Sequence, residues 1–114
     1  MFKGIKYIFT MVMLFNITII FSSNIEEEKF YSISGIVSNI NNEPLSGVEI
    51  YLSQLNKVVK SNHKGKYKIS HLRSGTYSIL FFSQDYRQAI KEVEITNNNI
   101  NLSVQLEEIN LELQ

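Results

Sequence analysis

From Tyr31 to Leu106 apolar and polar residues alternate with a period of two, and turn-forming residues interrupt the alternation roughly every 8 to 12 residues. Only a half-buried strand puts successive side chains on opposite faces, so this pattern restricts the chain to stacked sheets. The first strand is expected at about residues 30–39, where Tyr31, Ile33, Gly35 and Val37 alternate with Ser32, Ser34, Ile36 and Ser38. Asn41–Gly47 then forms a turn around Pro44, the single proline, which fixes φ near −65° and removes a donor. Beyond it Val48, Ile50 and Leu52 face inward and Glu49, Tyr51 and Ser53 outward, giving a strand near 47–53.

A short strand at 57–60 is followed by hairpin chemistry at Ser61–Gly65. Tyr67 and Ile69 then point in, while Lys66, Lys68 and Ser70 point out. A turn at His71–Gly75 opens the longest strand, with Tyr77, Ile79 and Phe81 inward. Tyr86–Ile95 follows with Val93 and Ile95 buried. After the Asn97-Asn98-Asn99 turn, Ile100, Leu102, Val104 and Leu106 close the set. Seven strands without a helix predict an all-β, antiparallel two-sheet sandwich over residues 30–108, with 24–29 as a linker and 109–114 as a tail.

Residues 1–23 read as an export signal. Lys3 and Lys6 precede an apolar run from Tyr7 to Phe21, then small Ser22 and Ser23. The run is shorter than the roughly 20 residues a membrane-spanning helix needs. With no cysteine, disulfides, thiolate metal sites and thiol nucleophiles are excluded, and the domain must be held by its core. With residues 1–23 set aside, nine Lys/Arg stand against eleven Asp/Glu, and no global charge points to nucleic acid. Between Glu49 and Asp85, however, every charged residue is basic: Lys57, Lys60, Lys64, Lys66, Lys68 and Arg73. These lysines are expected to coat exposed strands and blunt sheet edges. The competing reading is a basic face for an acidic partner or lipid head groups.

Five short motifs stand in order along the same span: Ile33-Ser34-Gly35-Ile36-Val37, Pro44-Leu45-Ser46-Gly47-Val48, Ser61-Asn62-His63-Lys64-Gly65-Lys66-Tyr67, Leu72-Arg73-Ser74-Gly75-Thr76-Tyr77 and Asp85-Tyr86. In this order and spacing the chain resembles the carboxypeptidase regulatory-like domain, a transthyretin-like sandwich. Asn62 stands where the family has Asp, and Asp85 where it has Gly. The resemblance implies that Gly35, Pro44, Gly47, Gly65 and Gly75 are structural, turn-forming positions. It also implies an exported accessory module of the bacterial cell envelope, as found at the N-terminus of TonB-dependent outer-membrane receptors. The location expected is the periplasm or outer membrane, with membrane contact only through an uncleaved signal, and the chain reads as a free-standing module or the front of a receptor.

Catalysis has little to draw on. His63 and His71 stand at the two ends of one expected strand, about 26 Å apart, and both read as turn residues. Asp85 is the one aspartate. The transthyretin-like hydroxyisourate hydrolases are an enzyme alternative, but their C-terminal Tyr-Arg-Gly-Ser signature is absent. No calcium or phosphate loop is present, so no metal or cofactor is expected. The remaining candidates are a partner surface. Tyr51 and Phe82, with Leu80, fall on expected outer faces, where they could pack on a protein or stack on a sugar. Ile109, Leu111 and Leu113 alternate at the C-terminus, as a segment added to a partner's sheet would.

Overall fold

A computed structural model of the chain describes residues 27–110. The expected export signal, and Leu111 and Leu113 of the tail, lie outside these residues. Among the described residues eight strands are formed: β1 (Tyr31–Asn39), β2 (Glu49–Leu52), β3 (Lys57–Lys60), β4 (Lys66–Leu72), β5 (Gly75–Phe82), β6 (Ala89–Ile95), β7 (Ile100–Asn101) and β8 (Val104–Leu106). They make two sheets. In one, β1 lies between β4 and the consecutive pair β7 and β8; the other has the order β3-β2-β5-β6.

The alternation explains the packing. Ile33 and Val37 of β1, Ile69 and Leu72 of β4, and Leu106 of β8 meet Ile50 and Leu52 of β2, Ile79 and Phe81 of β5, and Ile95 of β6 in one core. Each such side chain contributes about 1.5–3 kcal/mol through burial. The sandwich is antiparallel apart from its last two strands, which run parallel to β1. After β6 the chain crosses to the other sheet and enters along the open edge of β1 in the same direction.

The proline turn is a corner tied into the hairpin that follows. Leu45 N–H donates to the Val37 carbonyl (2.9 Å) and Asn39 N–H to the Glu43 carbonyl (2.9 Å). Ser61, the one buried polar residue among those described, accepts from Val48 N–H (2.9 Å) and donates to the Leu45 carbonyl (2.6 Å), so no buried polar side-chain atom of the corner is unpaired. Asn62 Oδ1 accepts from Lys64 N–H and Lys66 N–H, both at 2.9 Å, the service the expected Asp would provide. Gly65 has φ 74°, and a Cβ there would stand 2.5 Å from the Val37 carbonyl oxygen. Gly47 and Gly75 also turn with positive φ, and Asp85 keeps a negative one.

Gly35 keeps the strand position that the alternation gives it and departs from the turn role that the resemblance implies. It lies inside β1, opposite Tyr67 of β4. A Cβ there would stand 2.0 Å from the Leu102 carbonyl oxygen. The absent side chain admits the Leu102 backbone, and Tyr67 reaches across the glycine to donate its O–H to that same carbonyl. The Leu102 carbonyl is thereby turned to a side chain, and the expected final strand divides into β7 and β8 at this point.

His71 also departs from its expected turn. β4 continues to Leu72 through a bulge, because Tyr31 pairs with Leu72 while Ile33 pairs with Ile69. His71 takes the extra position with φ 60°. The turn itself is Arg73-Ser74, closed by Tyr77 O–H donating to the Arg73 carbonyl (2.7 Å).

Candidate interaction surface

The groups considered for catalysis are dispersed by the fold. His63 sits in the hairpin before β4, His71 on its bulge, and Asp85 in the turn after β5, all exposed. Among the described residues no group of three His, Cys, Asp or Glu is placed to hold a metal ion.

Apolar side chains instead converge on the outer face of the second sheet. Tyr51 of β2 pairs with Val58 of β3 on one side and Leu80 of β5 on the other, and Leu80 pairs with Ile90 of β6. Register alone therefore draws a row, Val58–Tyr51–Leu80–Ile90, across all four strands. Phe82 stands two residues along β5 from Leu80, opposite Glu49, so it lies diagonally from Tyr51 within side-chain reach. The ends of the row are open, Val58 at 55% and Ile90 at 64% exposure, and Phe82 is 45% exposed. Tyr51 and Leu80 in the middle are half-buried, and Tyr51 donates its O–H to Asn56 Oδ1 (3.3 Å). Beside the row the same face carries Glu49, paired across the strands with Lys60, and the outward Glu92 and Glu94 of β6. An apolar row with a charged margin is how a protein-binding patch is built.

Tyr51, Leu80 and Phe82 thus share one face, as the alternation indicates. Val58 and Ile90, which complete the row, were not singled out in the sequence. The signal for Ile90 was its parity with outward Glu92 and Glu94. That for Val58 was the adjacent Val58-Val59 pair, only one of which a strand can bury.

Ile109 is placed elsewhere. Its N–H donates to the Asp85 carbonyl (2.9 Å), Arg87 N–H donates to the Glu107 carbonyl (2.8 Å), and Tyr86 bridges Glu108. The first part of the tail is already paired within the molecule, against the turn after β5. The Ile109 side chain is 38% exposed and shares a shallow hollow with Ile40.

Comparison with known proteins agrees with this architecture. The CarboxypepD_reg-like domain family matches residues 33–114. No curated protein matches the chain in sequence. Among solved structures, the Bacillus anthracis TIE protein is 20% identical with a TM-score of 0.62, the match covering 73% of this chain and 17% of that one. The minor pilin of Streptococcus agalactiae is 14% identical with a TM-score of 0.61, covering 76% of this chain and 48% of the pilin. The major pilin subunit of Bacillus cereus is 17% identical with a TM-score of 0.60, covering 71% and 31%. The chain spans less than half the length of each, and at these identities the likeness is one of fold.

Proposed function

The chain belongs to the carboxypeptidase regulatory-like domain family, and on that premise we propose that it is a non-catalytic, exported interaction module of the bacterial cell envelope. Its relation to the N-terminal extension of TonB-dependent receptors is part of the same reading. The observation that carries it is the row Val58–Tyr51–Leu80–Ile90 with Phe82, an apolar strip across a hydrogen-bonded four-stranded sheet. Hydrogen-bonded strands hold these side chains with little left to order on binding, so the strip docks a partner at low entropic cost. The mechanism is apolar burial at the centre with charge selection by Glu49, Glu92 and Glu94 at the margin.

The test is native electrophoresis of detergent-solubilised envelope from cells expressing the chain. The wild type is expected in a complex larger than itself, and the Tyr51→Ser/Ile90→Ser variant at the mobility of the free chain. Far-ultraviolet circular dichroism should be unchanged, since neither residue belongs to the core. Equal mobility of the two would remove this face as the docking site.

A further inference from the structure

The opposite face of the sandwich has different chemistry. On the outer side of the first sheet, β4 presents Lys66 and Lys68, and β1 presents Ser32, Ser34 and Ile36. Register places Ser34 between Lys68 and Asn101. Asn99 and Ser103 flank Asn101 on the same margin. Asn99 Oδ1 accepts from Ser32 N–H (3.0 Å) and Ser103 Oγ from Ile36 N–H (3.1 Å). Because those oxygens replace backbone acceptors, the Asn99 amide nitrogen and the Ser103 hydroxyl proton remain as donors along the edge.

Two shallow depressions run along this face and a third lies at its margin between β4 and β3, and no Asp or Glu lines any of them. At one end the His71 bulge carries its imidazole to the Phe30 ring (centroids 5.8 Å apart), and the Arg73 guanidinium lies 6.0 Å from the same ring. Arg73 is itself paired with Glu28 (2.9 Å), so among the described residues the unpaired cations of the face are Lys66 and Lys68. Phe30 is 49% exposed. The face thus combines a line of cations, a parallel line of hydroxyls and amides, and one aromatic ring at its end.

We infer that this face binds an acidic polysaccharide, laid along β1 with its carboxylates toward Lys66 and Lys68 and its hydroxyls toward Ser34, Asn101 and Ser103. Charge complementarity selects a polyanion. The hydroxyl and amide line fits a hydroxylated chain, and Phe30 offers one stacking surface for a sugar ring. Single-stranded nucleic acid would call for successive stacking aromatics; of the Phe and Tyr residues lining these depressions Tyr67 is buried and Tyr31 half-buried, and Phe30 alone is exposed. A membrane would call for an apolar wedge, and Ile36 is the one exposed aliphatic side chain on this face.

The experiment is affinity electrophoresis of the full-length chain through gels containing polygalacturonate, dextran, duplex DNA or anionic phosphatidylglycerol vesicles. Polygalacturonate is expected to retard the wild type, less so as salt rises, while dextran does not. The Lys66→Ala/Lys68→Ala variant should bind about threefold to tenfold more weakly. Lys91→Ala, which removes a lysine from β6 of the other sheet, should bind as the wild type does. No retardation by polygalacturonate, equal retardation by dextran, undiminished binding by the double variant, or tighter binding to DNA or vesicles would each overturn the inference.

Discussion

At the scale of single residues, the fold turns on one glycine and the tyrosine that crosses it. Gly35 leaves room for the Leu102 carbonyl, and Tyr67 donates to that carbonyl while packing edge-on against Phe81 (centroids 5.5 Å, interplanar angle 80°). Gly35→Ala must push backbone against backbone and is expected to destabilise by about 3 kcal/mol, read from the shift in urea midpoint. Burial also raises the Tyr67 phenol to about 12 from its ordinary value of 10.0. The folded chain therefore favours the neutral phenol, while the unfolded chain releases the proton near pH 10. The stability this gives is fully present below about pH 10 and is lost as pH rises through about 12. Tyr67→Phe should lack that alkaline decline, so the stability difference between wild type and variant narrows from pH 9 to pH 12. Parallel urea midpoints across that range would contradict the assignment. The glycine could be read as a motif position, but its reason could not, because it depends on a carbonyl 67 residues further along the chain.

At the scale of elements, parity was the legible quantity. Val48, Ile50 and Leu52, Tyr67 and Ile69, Tyr77, Ile79 and Phe81, and Val93 and Ile95 all face inward as alternation requires. Tyr51, Leu80 and Phe82 face outward by the same alternation, and they are three of the five residues of the candidate surface. What alternation cannot convey is where a strand adds a residue or changes its partner. The bulge at His71 and the division between β7 and β8 are both set by the neighbouring strand rather than by local sequence. Nor can it show that Ile90 and Val58 extend the row, since that depends on the register of three strand pairs. The bulge makes its own prediction. A histidine with φ 60° is held where glycine is favoured. Allowing for glycine's greater freedom when unfolded, His71→Gly should stabilise by about 0.5 kcal/mol, seen as a melting temperature higher by about 2–4 °C. A lower melting temperature would mean that the contact with Phe30 outweighs the strain.

At the scale of the whole molecule, two sheets give one core and two unlike faces. One is apolar with a charged margin of Glu49, Lys60, Glu92 and Glu94; the other is basic and hydroxylated. Export is argued from residues 1–23, and intact-mass measurement of the protein from envelope fractions should find a chain beginning at Ser23 or Asn24. A mass retaining Met1 would favour an uncleaved anchor instead. The central claim is that the row on the second sheet meets a partner in the envelope. Its most direct test is photocross-linking in the cell, with benzoylphenylalanine placed singly at position 58, 82 or 90 and, as a control outside the row, at 97 in the turn between β6 and β7. A discrete adduct of the same mass from 58, 82 and 90 and none from 97 is the expected result. Adducts absent from all four positions, or equal at 97 and 90, would contradict it.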